Sequence, residues 1–107
     1  MSLVIQILYK GQNGSARAFA KEMMSSGLVE EIRKEEGNLR YEYFYPAEDE
    51  ESVLLIDAWE DQAALDRHHA LPLMGKIAVL REKYDLHMRV ERLQSLEGGG
   101  DDKFIRK

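Results

Sequence analysis

The chain has 107 residues, 44% of them hydrophobic and 33% charged, with a net charge of −5, which bounds one domain around one core. Acidic and basic residues are interspersed with no basic stripe, so neither nucleic acid nor an anionic membrane is expected as a partner. Cysteine is absent, which excludes disulfides, thiolate catalysis and Cys-type metal sites and fits a cytoplasmic protein, and no apolar run is long enough to span a bilayer.

In chain order, Leu3-Val4-Ile5-Gln6-Ile7-Leu8-Tyr9 is short and β-rich and ends in the turn residues Lys10 to Gly14, so it reads as a first strand. Ser15 is placed to cap a helix whose apolar face is Ala16, Phe19, Ala20 and Met23. Ser25-Ser26-Gly27 interrupts that face, and Leu28 and Ile32 resume it in a shifted register, so one kinked helix or two consecutive helices are expected. Gly37 closes the segment, since glycine takes the left-handed conformation after a helix end.

A second strand follows from Asn38 to Tyr45, with Leu39, Tyr41, Tyr43 and Tyr45 on one face. Pro46 and an acidic loop lead to a third strand, Val53 to Trp59. Asp61 is placed to cap a short helix with Ala64, Leu65 and His68 on one side, which Pro72 ends. Leu73, Ile77, Leu80 and Tyr84 then mark an amphipathic helix, and Leu86 to Leu93 a fourth strand. Residues 1–95 read as the domain, and residues 96–107 as a flexible glycine-rich linker with a basic tail.

The order β-α-β-β-α-β is the ferredoxin-like α+β arrangement, an antiparallel sheet with helices on one face. Val53-Leu54-Leu55-Ile56 is continuously apolar, whereas a sheet with one wet face should alternate. Helices cover only one face. A second copy of the sheet is the simplest cover for the other, so a homodimer forming a dimeric α+β barrel is expected.

Candidate chemistry centres on His68. It is either a core histidine bonded to a carbonyl or a base in a pocket, since imidazole titrates near neutrality. His69 points about 100° away around the helix, and His87 lies on another element, so a metal site is not indicated. Trp59 is a core residue or an indole donor to a ligand. Asn38 is turn chemistry or an amide donor at a pocket edge. The tyrosine stripe suits packing at a dimer interface, and Met74 is a core filler or a wall for a flat apolar molecule.

Three stretches carry a resemblance. They are Glu35-Glu36-Gly37-Asn38-Leu39-Arg40-Tyr41-Glu42, then Ile56-Asp57-Ala58-Trp59-Glu60, then His68-His69-Ala70-Leu71-Pro72-Leu73-Met74. Their pattern, E-G-x-x-x-Y-E, W-E and H-x-x-x-P, resembles that of the antibiotic biosynthesis monooxygenase family over roughly residues 2–93. The resemblance implies a cofactor-independent oxygenation in which a quinol or polyketide-like aromatic is deprotonated and itself reduces O2, the co-substrate. It further implies His68 as base, Trp59 and Asn38 as anion-stabilising partners, and Tyr41 as lining the site or the interface; Arg40, Met74 and Leu65 are further candidates to meet the substrate. Ile77 and Ile7 stand where the haem-degrading branch carries its histidine and asparagine, which disfavours haem. The alternatives are an isomerase of a small phosphorylated hydroxyketone, favoured if Arg40 or Lys10 lines the pocket, and a non-catalytic ligand-binding dimer.

Overall fold

The computed structural model describes residues 2–96 and 98–107. Met1, at the start of the expected domain, and Glu97, at the start of the expected linker, lie outside the described residues. Four strands, β1 (Leu3–Lys10), β2 (Asn38–Phe44), β3 (Ser52–Trp59) and β4 (His87–Gln94), form one antiparallel sheet in the order β2-β3-β1-β4. Between them run helices α1 (Ser15–Ser25), α2 (Leu28–Arg33), α3 (Gln62–His69) and α4 (Leu73–Lys83). This is the ferredoxin-like α+β fold, and the kink at Ser26-Gly27 resolves into two helices, with Gly27 at φ 86°. Among the described residues, the expected linker and tail contain one 3-10 turn, Asp102–Phe104.

Alternation along the strands decides which side chains meet the helices. On β1, Ile5, Ile7 and Tyr9 are buried and the residues between them are half-buried. Their ladder partners on β3, Asp57, Leu55 and Val53, share that face and are buried too. Phe19, Met23, Leu28, Ile32, Leu65 and Ile77 from the helices complete one core with them. The opposite face carries Val4, Leu8, Leu54 and Ile56, all half-buried, with Phe44 and Leu93 exposed at its flanks. These six form an apolar patch flanked by the exposed charges of Glu42, Arg89 and Glu91, on the sheet face opposite the helix-packed core.

Two local expectations need correction. Ser15 does not cap α1: the cap position is Gly14, in the left-handed region at φ 79°, and the Ser15 hydroxyl accepts from the Gln12 amide instead. The tyrosine stripe is not on the outer sheet face. Tyr41 and Tyr43 pair with Asp57 and Leu55 and point toward the helices, while Leu39 escapes the pattern because the β2–β3 register shifts between Asn38 and Arg40. The Asp61 cap stands as expected, its carboxylate accepting from the Ala64 amide at 2.9 Å.

The turn between α2 and β2 is a close passage against α3. Gly37 sits at φ 85°, and a Cβ there would lie 2.5 Å from the Cβ of Ala64 on α3. Its carbonyl accepts from the Glu60 amide at 2.8 Å, tying the turn to the end of β3. Glycine is thus required twice over, for the backbone angle and for the contact. Gly37→Ala is expected to destabilise the protein by about 2–4 kcal/mol in urea unfolding; a loss under about 0.5 kcal/mol would show that the turn relaxes freely.

Candidate active site

A cavity of about 220 Å³ lies between the sheet and the helices. Its walls are mostly apolar: Ile5, Ile7, Leu55 and Tyr41 from the sheet, Leu65, Met74 and Ile77 from the helices, and Met88 and Val90 from β4. Its polar groups are Asp57, His68, His69, Arg81 and Arg92.

His68 is 3% exposed and sits on the buried side of α3, one turn beyond Ala64. Its Nδ1 lies 3.0 and 2.9 Å from the two carboxylate oxygens of Glu35, itself only 14% exposed. A carboxylate can only accept, so Nδ1 carries the proton and donates, which leaves Nε2 as the basic nitrogen. The partner is reached because the Gly37 turn presses on α3 at Ala64, and Glu35 enters that same turn two residues earlier. The other side of the imidazole packs on Trp59, with ring centroids 4.8 Å apart and planes at 30°. His68 is therefore held by a charge on one nitrogen and a wall on one face.

Asp57 is the second titratable group of the cavity. It is buried, and burial pushes its carboxyl up to about 7; the Trp59 indole lowers it in part, the Glu35 charge raises it, and Arg81 lowers it. Trp59 lies on the same sheet face, yet no full hydrogen bond joins the two: Asp57 Oδ1 and Trp59 Nε1 are both buried without a partner among the described residues. Buried polar atoms are normally paired, and exceptions concentrate at functional sites. His69, more exposed than His68, also lines the cavity, with its ring centroid 5.6 Å from that of His68. Burial lowers its pKa first and the neighbouring His68 next, Asp66 raises it, and Arg81 and Arg92 lower it further.

The remaining sequence candidates divide. Leu65, Met74 and Tyr41 line the cavity. Tyr41 is fixed by Arg33, whose Nε and Nη2 donate to its carbonyl at 3.0 and 2.8 Å, and burial raises its phenol well above the usual range. Trp59 stands behind His68 and does not itself line the space. Asn38 is not brought to the cavity: its amide donates to the carbonyls of Arg40 and Ala58 at 3.2 and 3.4 Å, spanning the register shift. Arg40 is exposed and paired with Glu42 at 2.7 Å, and Lys10 pairs with Asp49 at 3.0 Å, so neither lines the cavity. Glu35 and Asp57 are the functional candidates that sequence reasoning passed over. Both lay inside recognisable stretches, but nothing local marks one acid as the buried one. Among the described residues no three His, Cys, Asp or Glu side chains cluster as a metal ion requires, and no helix is long and apolar enough to cross a membrane.

A ferredoxin-like sheet carrying an apolar cavity with a buried, carboxylate-held histidine defines the class, a small α+β protein with a ligand-sized internal site. The chain belongs to the antibiotic biosynthesis monooxygenase family, whose model matches residues 2–79. It is 31% identical over 67 residues to the Bacillus subtilis (strain 168) protein named "Putative monooxygenase YcnE", covering 63% of this chain and 68% of that one. In structure it is similar to PA3566 from Pseudomonas aeruginosa, at 26% identity and TM-score 0.76 over 90% of this chain and 95% of that one. SnoaB, described as a cofactor-independent oxygenase from Streptomyces nogalater, shares the fold at TM-score 0.74, with 13% identity, over 91% of this chain and 95% of that one.

The raised Asp57 pKa makes stability depend on pH with a definite sign. The folded state holds the Asp57 proton up to about pH 7, whereas an unfolded aspartate releases it near 4. The native state therefore binds the extra proton between those limits, and the contribution of Asp57 to stability falls as pH rises from about 4 to 7. Relative to Asp57→Asn, the wild type is expected to lose on the order of a few kcal/mol across that window, read by urea unfolding at pH 5 and pH 8. An unchanged difference at the two pH values would place Asp57 in a solvated setting.

Proposed function

We propose that this protein is a cofactor-independent monooxygenase acting on a small quinol-type aromatic. The observation that carries the reading is the buried His68, oriented through Nδ1 by Glu35 and facing a largely apolar cavity. Nε2 takes the phenolic proton. The resulting phenolate passes one electron to O2, giving an aryloxyl radical and superoxide, which combine at a ring carbon as a hydroperoxide. Its O–O bond breaks with loss of water and leaves the carbonyl, so one oxygen atom enters the ring and the other departs as water. Apolar walls strengthen each of these charge interactions by excluding solvent, and the Glu35 carboxylate stabilises the imidazolium as it forms. Asp57, at the same cavity, is suited to return a proton to the peroxide, since a carboxyl titrating near 7 exists in both forms at neutral pH.

Met74, Leu65, Leu55 and Met88 in the walls favour an aromatic over a small phosphorylated hydroxyketone; Arg40 and Lys10 are absent from the lining, whose cations are instead Arg81 and Arg92. The working form in this reading is a homodimer. Its sheets pack through the outer faces, which bury Val4, Leu8, Leu54 and Ile56 against their counterparts, and residues 96–107 are an appendage to the catalytic domain of residues 1–95.

Oxygen uptake measured with an electrode on hydroquinones and anthrols is expected to exceed autoxidation and to fall about 10²–10⁴-fold in His68→Ala. Equal uptake by the variant would remove His68 from the mechanism, and no uptake by the wild type across the panel would overturn the oxygenase reading. Sizing with light scattering at micromolar concentration is expected to give twice the chain mass. A monodisperse monomer there would refute the dimer.

A further inference from the structure

Two guanidinium groups border the cavity, and neither forms an ion pair with a carboxylate among the described residues. Arg81 comes from α4 and Arg92 from β4, and both line the space. The carboxylate ion pairs among the described residues are Lys10–Asp49, Arg40–Glu42, Lys83–Glu22 and the His68–Glu35 contact, so neither cavity arginine meets a carboxylate within 4.0 Å. Each is instead fixed by a neutral acceptor. Arg81 donates from Nε and Nη2 to the Tyr9 hydroxyl at 3.1 and 2.9 Å, and Arg92 donates from Nη2 to the Gln62 amide oxygen. Neutral partners hold a side chain in place without cancelling its charge. A guanidinium has five N–H donors, so donors remain on both groups.

The two charges line the same cavity. Both contribute to the lowered pKa of His69, behind burial and the neighbouring His68 and against the raising effect of Asp66. Asp57 is the only carboxylate in the lining, and burial raises its pKa enough that it is not fully ionised at neutral pH. Two guanidiniums and two imidazoles thus face a single, partly protonated acid.

We propose that this cavity takes a hydroxylated aromatic carboxylate, with the carboxylate held by Arg81 and Arg92 and the phenol directed at His68 Nε2. The planar fork of arginine matches a carboxylate in a bidentate manner. Size limits the ring system. A cavity of roughly 150 Å³ accommodates benzene, so the 220 Å³ here suits one ring with its substituents. The phenol half of the assignment rests on the oxygenase reading above; the carboxylate half stands on the arginines.

The test is calorimetric titration without oxygen at pH 7.5, comparing 2,5-dihydroxybenzoate with its methyl ester, which has the same ring and no charge. The acid is expected to bind the wild type at least about tenfold more tightly than the ester. That ratio is expected to collapse toward one in Arg92→Gln, an exposed position where folding is not at risk, and to recover in part in Arg92→Lys, which restores charge without the fork. Equal affinity for acid and ester in the wild type, an unchanged ratio in R92Q, or tighter binding of dihydroxyacetone phosphate than of the aromatic acid would each overturn the proposal. Because oxygen is excluded, a protein that binds the acid selectively yet turns nothing over would keep this site and lose the oxygenase reading. Uptake on neutral quinols with no preference for the acid would do the reverse.

Discussion

Everything at the candidate site depends on how closely the turn after α2 approaches α3. Gly37 has no side chain, and any Cβ at that position would collide with Ala64. The contact this permits sets the spacing between two segments that are far apart in sequence, and it brings Glu35 within 3.0 Å of His68 one helical turn past Ala64. A bond from the Glu60 amide to the Gly37 carbonyl locks the same turn to the end of β3, where Trp59 supplies the wall behind the imidazole. Backbone freedom at one glycine thus positions a carboxylate, a base and an indole together. The glycine of E-G and the W-E pair of the family pattern find a physical reason in that junction.

The cavity is a compromise between burial and charge. Its apolar walls come from the strand face that packs the core, so the site and the core are one layer with a gap in it. Placing Asp57 in that layer leaves an oxygen unpartnered and lifts its pKa, and placing Trp59 there leaves an indole N–H unpartnered. A core built for stability alone would satisfy these groups or replace them with apolar side chains. The arginines at the rim show the complementary choice. Tyr9, buried at the base of β1, accepts from Arg81, and its phenol is raised by burial more than the guanidinium lowers it, so it remains a neutral support.

Several readings made from local pattern hold because the physics behind them is local. The apolar spacing of Ala64, Leu65 and His68 puts the histidine on the inner face of α3, as found. The unbroken apolar run in β3 does correspond to an aliphatic patch, Leu54 and Ile56 with Val4 and Leu8, on the outer face of the sheet. Asn38 and Arg40 fail as site residues for a reason that no periodicity reveals: the register shift between them spends the Asn38 amide on two backbone carbonyls and leaves Arg40 outside, paired with Glu42. The tyrosines of β2 alternate as the sequence says, but alternation does not specify which face meets the helices. Here Tyr41 meets them and borders the cavity.

The amino-acid sequence by itself determines the element order, the ferredoxin-like class, the inward placement of His68 and the family pattern, because period, caps and turn residues act over a few neighbours. Tertiary structure alone decides that Glu35 is the histidine's partner across 33 positions, that Asp57 is the acid shut away from water, and that Arg81 and Arg92, on different elements, face the same space. Those outcomes follow from which faces close on one another and how much water they expel. Charge pairing and desolvation are set by distance in space, which the spacing of residues along the chain does not carry.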